Sequence, residues 1–498
     1  MKKIVLLLFL ISFKLAVSQF IERIPSKEAG LAKSPNLYGF FNKGKNGIFH
    51  TEVTEKGKQR VFVLEKYNND LSNLFSQGIQ LEEREEYQFF EIKQNKIYFF
   101  STLYDGKDKS LFLRVLDGES GKIISEKRKL SSLPSDPFGL GGRNFPILFS
   151  EDESKMMIVS AFQWPKKPQD VKAEVYELSS LKLTNTLNIP AEYEGTIIKS
   201  RSYQVTNQGN ILYIVKTDTK EKNAIIKETL VSYDVSSKAN KYLNLPFEKK
   251  KIENSETFIK NGVYYVTGVF KDEYSKKDGL ENKTGVFCVS VDTKEFKLIS
   301  PEMNYFSSDI ETKLSYKDGQ KKRELSEKEF TSKQLVHTAS GFYLIENLTY
   351  TAEVSAGNTT VYKPYSRELI VSKYNNNGKL EFVKVIPKNA TNKMYGEDIL
   401  ESNDNLFIFY CEHPKNLEKY TLENFDPKEY NDIGDLRGPV GVCVKVDANG
   451  NLSRQELIIN ETWCYWPGSG IVVKEGKELV VMEIQKDQYI LEVFKIKK

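Results

Sequence analysis

Histidine, tryptophan and cysteine are scarce in this chain. Its 498 residues include 3 His, 3 Trp and 4 Cys. His50, His337 and His413 stand far apart, and none of the cysteines forms a CxxC pair. A zinc centre of ordinary ligand spacing is therefore not indicated, and no metal or cofactor is expected. An excess of charge of one sign is also lacking: 72 basic side chains face 68 acidic ones, a formal net charge of +4. No basic stripe interrupts that balance, so a nucleic-acid partner is not expected. After the first 17 residues no stretch reaches the roughly 18 apolar residues that a spanning helix needs. Several local catalytic strings are missing as well, among them G-x-S-x-G, H-E-x-x-H and the sialidase Asp box S-x-D-x-G-x-T-W.

Aromatic residues are plentiful. They make up 12% of the chain, with 27 Tyr and 30 Phe, alongside 40% hydrophobic and 28% charged residues. Such a composition folds, and rings favour half-buried pleated surfaces. The chain opens with Lys2-Lys3, an apolar run from Ile4 to Val17 and the small pair Ala16 and Ser18. Residues 1–18 read as a secretory signal peptide cleaved before Gln19, since the run is short for a bilayer and carries Lys14. The mature protein is expected in the periplasm or outside the cell.

One phrase recurs: turn residues, then an alternating apolar strand, as in "NGVYYVTGVFKDE" from Asn261 to Glu273. Counterparts begin at Ile48, Ile97, Met156, Ile211, Phe342, Leu406 and Leu479. Each is followed by a second strand, a turn and a short closing strand, and Pro190, Pro246, Pro301 and Pro387 mark the ends of several closing strands. Proline cannot donate to a ladder, so it suits an edge strand. The spacings resemble propeller blades of about 40 to 50 residues with insertions. The expectation is an all-β fold: a single β-propeller of about eight four-stranded blades, with seven as the alternative. The blades would run roughly over 38–80, 87–134, 146–190, 203–246, 257–301, 334–388, 398–459 and 465–498. The last unit lacks a closing strand, whereas the mature N-terminus, "QFIERIP", has the form of one. Residues 20–25 are expected to complete the eighth blade, because an unpaired sheet edge invites aggregation. Only Lys317–Gln334 has helical composition. Long inserts fall in the sixth unit ("YTAEVSAGNTTVYKPYSR") and the seventh ("NLEKYTLENFDPKEYNDIGDLRG"), and such loops are where binding residues usually lie.

Three segments, "ELIVSKYNNNGKLEFVKVIPK" (368–388), "FYCEHPKNLEK" (409–419) and "GVCVKVDANGNLSRQELI" (441–458), resemble parts of uncharacterised exported propeller-like families of Bacteroidetes. The likeness spans about residues 334–498 and implies a fold and export, with no activity or site attached. "FPILFSEDESKMMIVSA" (145–161) is similar to one Tol-type propeller repeat, with Glu151 in place of its turn proline and Ser154 in place of its glycine.

Each candidate site also has an ordinary structural role open to it. Asp447–Asn451, "DANGN", spaces oxygens like a calcium loop but has Leu452 where a calcium loop needs glycine; a hairpin turn is the better reading. In "ETWCYWPGSG" (461–470), Trp463, Tyr465 and Trp466 either fill a wedge between sheets or offer rings to a sugar. Trp164 in "FQWPKKP" carries the same two readings. "DPFGLGGRN" (136–144) is a glycine-rich loop ending in Arg143, which could meet an anion, although no helix follows it. Cys288, Cys411, Cys443 and Cys464 read as small buried residues, with a bridge between Cys411 and Cys443 as the alternative. Loop acids such as Asp309, Glu311, Asp426 and Asp432 are too numerous to single out a catalytic pair. The function expected is that of a non-enzymatic, monomeric exported propeller binding a protein or glycan through loops on one face. Its alternatives are a carbohydrate-active enzyme with axial carboxylates and a structural envelope component.

Overall fold

The computed structural model describes residues 21–28, 37–42, 48–56, 59–68, 73–134, 143–162, 171–190, 192–193, 196–200, 202–217, 227–272, 283–314, 317–318, 321–322, 329–356, 359–391, 397–433, 440–457, 471–473, 478–485 and 488–496. Among these, eight antiparallel sheets carry four strands or more. The first comprises Leu37–Asn42, Ile48–Lys56, Gln59–Tyr67 and Asn73–Leu81, and the second Glu85–Lys93, Lys96–Tyr104, Asp108–Asp117 and Ile123–Pro134. The third is built on Ile147–Phe149, Lys155–Phe162, Val171–Glu177 and Lys182–Ile189, and the fourth on Tyr203–Val205, Ile211–Thr217, Lys227–Asp234 and Ala239–Asn244. The fifth holds Lys250–Lys260, Val263–Asp272, Thr284–Asp292 and Lys297–Tyr305, and the sixth Glu329–His337, Gly341–Ala356, Thr359–Asn375 and Leu380–Ile386. The seventh contains Asp398–Ser402, Asn405–Glu412, Val440–Val446 and Leu452–Leu457. The eighth joins Ile471–Val473, Glu478–Gln485 and Gln488–Ile496 to Ile21–Glu28. Successive strands pair in chain order in the first seven, and the eighth borrows its last strand from the other end of the chain. The protein is a β-propeller.

The recurring phrase proves to be the second strand of each sheet, not the first. A strand precedes it in every unit, and several of these are very short, as in Ile147–Phe149 and Ile471–Val473.

Contacts divide the chain into two compact units: Met1–Glu52, Glu65–Leu74 and Asn389–Lys498 form one, and Val53–Leu64 with Phe75–Lys388 form the other. In the larger unit, apolar residues of neighbouring sheets interlock. Tyr264, Val266, Phe270 and Phe287 of the fifth sheet pack with Leu212, Ile214 and Leu230 of the fourth. On the opposite face of the fifth sheet, Phe258, Tyr265 and Cys288 pack with Phe342, Leu344 and Tyr374 of the sixth. Both faces are thus covered, which explains why the middle strands read as near-continuous apolar runs rather than strict alternations. The fourth strands, bare on one edge, alternate; Lys182–Ile189 is exposed at most of its positions. Pro301 lies within such an edge strand, opposite Val289, where its missing N–H costs no ladder bond.

In the smaller unit, Ile21, Glu22, Arg23 and Ile24 pair with Ile496, Lys495, Phe494 and Val493. The ladder resumes with Lys27 opposite Leu491 after a register shift at Pro25 and Ser26. The expected closure of the last sheet by the N-terminal segment is therefore present, and it runs on to Glu28.

Two expectations are corrected. The described residues of 317–334 are not helical: Lys317–Asp318 pairs with Lys321–Lys322, and residues from Glu329 onward belong to the sixth sheet. Tertiary pairing with Gly341–Ala356 overrides the local helical composition. The helix near this segment is Ser308–Lys313, capped by Ser307. The insert of the sixth unit is not a loop either. It continues the central hairpin as a two-stranded ribbon from Thr349 opposite Ser366 to Ala356 opposite Thr359, with Tyr350 and Tyr365 stacked at 4.7 Å.

Gly268 shows how closely the fifth sheet is packed. A Cβ placed there would stand 2.1 Å from the Asn254 carbonyl oxygen, beside a register shift between Ile252 and Asn254. Gly268→Ala is expected to lower unfolding free energy by about 1–3 kcal/mol, read as a shift of the urea midpoint at unchanged slope. A neutral result would mean that the bulge yields freely.

Candidate functional site

Of the positions expected to bind ligand, the structure describes Arg143 alone. Trp463, Tyr465, Trp466 and Trp164 lie outside the described residues. Arg143 occupies a two-residue strand, Arg143–Asn144, and pairs with Phe162. Cys464 and residues 1–18 also lie outside the described residues, whereas Cys288, Cys411 and Cys443 are buried. Cys443 stands opposite Phe409 and Cys411 opposite Gly441, so neither thiol faces the other across the ladder. "DANGN" is a hairpin turn: Asp447 Oδ1 accepts from Asn449 N at 2.9 Å and Asn451 N at 2.8 Å, and Gly450 takes a φ of 83°. Among the described residues no group of three or more His, Cys, Asp or Glu is placed to hold a metal.

The insert of the seventh unit is anchored rather than free. His413 caps the short helix Pro414–Lys419, and Leu422, Phe425, Tyr430 and Ile433 are buried beneath the following turns. Its anchor is Glu412, whose carboxylate accepts from His413 N and Asn416 Nδ2, each at 2.8 Å, and from the Tyr430 hydroxyl. Burial nevertheless pushes Glu412 above the usual carboxylate range.

Buried acids recur within the sheets of the larger unit, and sequence reading missed them. Glu85 accepts from Arg114 Nη1 at 2.6 Å, Lys127 Nζ at 2.8 Å and Ser101 Oγ at 2.5 Å. Burial alone would raise it, yet Arg114, Lys127 and Ser101 together hold it down to about 2. Glu174 takes Ser131 Oγ at 2.7 Å and Lys172 Nζ at 2.6 Å, Glu228 pairs with Lys216 at 3.2 Å, and Glu253 with Lys271 at 3.3 Å. Each of these charges is compensated inside the fold, so they serve as internal ties. Glu346 differs. Fully buried between the fifth and sixth sheets, it has no hydrogen-bond partner of good geometry at either carboxyl oxygen among the described residues. Burial pushes it up to about 8, opposed by the Asn254 side chain and reinforced by Glu256.

An open concavity of the larger unit lies elsewhere, where hairpin turns of the third, fourth and fifth sheets converge. It is a polar groove of about 570 Å³. Glu151 lines it from the third sheet, Thr206, Asn207, Gln208 and Asn210 from the fourth, and Asn261 and Gly262 from the fifth. The ends of the third strands and the turns after them add Asp234, then Asp292, Thr293 and Lys294, and the strand Ala239–Asn244 adds Lys241. Apart from Ile259 and Gly262, every lining residue carries a polar side chain, and none is aromatic.

Turn chemistry fixes this groove. Asp234 Oδ1 accepts from Ser237 N at 3.0 Å and Ser236 N at 2.8 Å, which together hold its carboxyl below the usual range. Asp292 Oδ1 does the same for Lys294 N at 2.9 Å and Glu295 N at 2.7 Å. Asn210 Oδ1 accepts from Val235 N at 3.1 Å, and Thr293 Oγ1 donates to Gly262 O at 2.6 Å. The sheets are also laced to one another. Glu151 Oε1 accepts from Asn261 N at 2.6 Å, linking the third sheet to the fifth, and Asn207 Oδ1 accepts from Asp152 N at 3.1 Å. Lys260 Nζ then reaches Thr338 O, Gly341 O and Asn376 Oδ1 of the sixth sheet, each at 2.9 Å. These bonds hold the turns that line the groove in fixed positions.

No family model and no curated protein matches the chain. Solved structures do. The WD40 domain of SCAP from fission yeast is 8% identical, with 95% of this chain and 98% of that chain covered at a TM-score of 0.42. The polysaccharide lyase Uly1 is 9% identical, over 96% and 99%, at 0.41. The β-propeller domain of the Trilobed protease from Pyrococcus furiosus, described as having an open velcro topology, is 12% identical over 85% and 98%, at 0.36.

Glu346 gives a stability prediction. A carboxyl raised from its ordinary 4.5 to about 8 in the native state contributes fully below about 4.5. That contribution is lost as pH rises towards 8, because the unfolded chain ionises first. Glu346→Gln removes the ionisation. The variant is expected to gain stability relative to the parent between pH 5 and pH 8, measured as the difference in urea midpoints. A constant difference across that range would contradict the burial of an uncompensated acid. Glu85 behaves oppositely: its tie is present above about 4.5 and lost as pH falls towards 2. Glu85→Ala, which leaves Arg114 buried and unpaired, is expected to cost about 3–5 kcal/mol at neutral pH, read by the same denaturation.

Proposed function

We propose that this propeller is an exported binding module that takes a protein or glycan partner into the groove between its third, fourth and fifth sheets. The observation that carries the reading is the groove itself: about 570 Å³, within the range of small-ligand sites, and lined by turns locked in place by their own hydrogen bonds. Export rests on the form of residues 1–18 and on the likeness of residues 334–498 to exported propeller-like families.

A binding role is favoured over catalysis by what the acids do. In the groove, Asp234 and Asp292 cap turn amides and Glu151 accepts from Asn261 N. Within the sheets of the larger unit, Glu85, Glu174, Glu228 and Glu253 are neutralised by cations. Glu346 is sealed from solvent. A glycosidase needs two carboxyl groups flanking an accessible bond, about 5 to 9.5 Å apart.

The test is an array of glycans and peptides probed with the mature protein and with a groove-blocked variant, Gln208→Trp. At least one class is expected to bind the parent and to be lost from the variant. Binding that survives the block, or no binding at all, would contradict the assignment.

A further inference from the structure

The groove's chemistry narrows the partner. Resting on the reading of this groove as the binding site, we propose that its ligand is a neutral, hydroxyl-rich oligosaccharide held edge-on by hydrogen bonds. Three features of the lining lead there.

The first is the kind of polar group present. Glu151, Asn207, Gln208, Asn210, Asp234 and Asn261 bring planar amide and carboxylate groups, joined by the hydroxyls of Thr206, Ser232 and Thr293. Planar groups with two adjacent donor or acceptor atoms match vicinal hydroxyls, each of which both donates and accepts. Several of these groups are half-used by the fold. Asp234 and Asp292 each give Oδ1 to turn amides, and Glu151 gives Oε1 to Asn261 N. Their second oxygens keep acceptor capacity, held in fixed directions by the first.

The second feature is the charge. Glu151, Asp234 and Asp292 face Lys241 and Lys294 across one short groove. A polyanion would meet three carboxylates, and a polycation two ammonium groups. A neutral polar ligand meets donors and acceptors of both kinds without bringing an unpaired charge into the site.

The third feature is the scarcity of apolar side chains. Ile259 is the sole aliphatic side chain lining the groove, and no ring lines it. Protein partners are usually anchored by aromatic or large apolar side chains seated in dry pockets, and this groove offers no such seat. It also lacks a platform for stacking a sugar face, so recognition falls to the hydroxyl edges.

Gln208 is the residue to probe. It is exposed on the turn between Tyr203–Val205 and Ile211–Thr217, and its side chain ties no part of the fold. Titration calorimetry would use the mature protein with short neutral gluco-, manno- and xylo-oligosaccharides, with uronate-bearing and sulfated oligosaccharides, and with acidic and basic peptides. At least one neutral oligosaccharide is expected to bind. Its affinity should stay unchanged between about 0.01 M and 1 M salt, over which the screening length falls from about 30 Å to about 3 Å. Gln208→Ala should weaken that binding by up to about tenfold, the scale of one neutral hydrogen bond.

Binding confined to the charged oligosaccharides and steeply salt-dependent, or confined to peptides, would overturn the neutral-glycan proposal. If that binding were still weakened by Gln208→Ala, the groove would stand as the site. Binding of a neutral oligosaccharide indifferent to both Gln208→Ala and Gln208→Trp would instead remove the groove. Absence of binding to every probe would overturn the proposal outright.

Discussion

The backbone pairing of Ile21–Ile24 with Val493–Ile496 is the constraint on which the eighth sheet depends. Without it, Gln488–Ile496 would end the sheet with a free row of N–H and C=O groups, a template for pairing with another chain. Closing a non-local contact across almost the whole polypeptide carries a loop-closure cost that grows only with the logarithm of chain length, whereas each ladder residue adds its own stabilisation. The shift at Pro25 and Ser26 bends this strand without breaking it, since the pairing resumes at Lys27. Proline removes a donor, and the bulge is where that loss can be absorbed.

In the larger unit the binding constraint is the covering of both faces of each sheet. Hydrophobic side chains of the fifth sheet meet the fourth on one side and the sixth on the other. That leaves little room for polar groups, so the buried glutamates come with partners. Glu85 with Arg114 and Lys127, and Glu174 with Ser131 and Lys172, join strands through charge where neighbouring positions join them through packing. Glu346 is the exception, buried in the sixth sheet without a cationic partner among the described residues. The turns that end these sheets carry the groove, and turn geometry and site geometry are set by the same hydrogen bonds.

Much of the fold could be read from residue order. The repeated phrase located the second strand of every sheet, because those strands are rich in aromatic and β-branched residues and, where their burial is described, largely covered on both faces. "QFIERIP" announced the closing strand through its proline. Some of the strands preceding the phrase, such as Tyr203–Val205, are too short to leave a periodicity to detect. The helical composition of Lys317–Gln334 misled because pairing with a neighbouring strand outweighs local preference. The groove was not legible at all. Its residues come from turns spread between Glu151 and Lys294, and each turn alone, "SEDES", "TNQG" or "IKNG", looks like any other hairpin. The glutamates inside strands carry no signal in residue order, because cationic partners such as Arg114 and Lys271 come from other strands.

The closure of the eighth sheet is most directly tested by cross-linking its two ends. Glu22 and Lys495 are directly opposed across the ladder, at a separation a disulfide can bridge in a paired sheet. The mature protein carrying Glu22→Cys and Lys495→Cys, oxidised at low concentration and digested, should yield one peptide joining the first and last segments of the same molecule by mass spectrometry. Ends that remain unlinked, or that link only between molecules, would contradict an N-terminal strand that completes the last sheet.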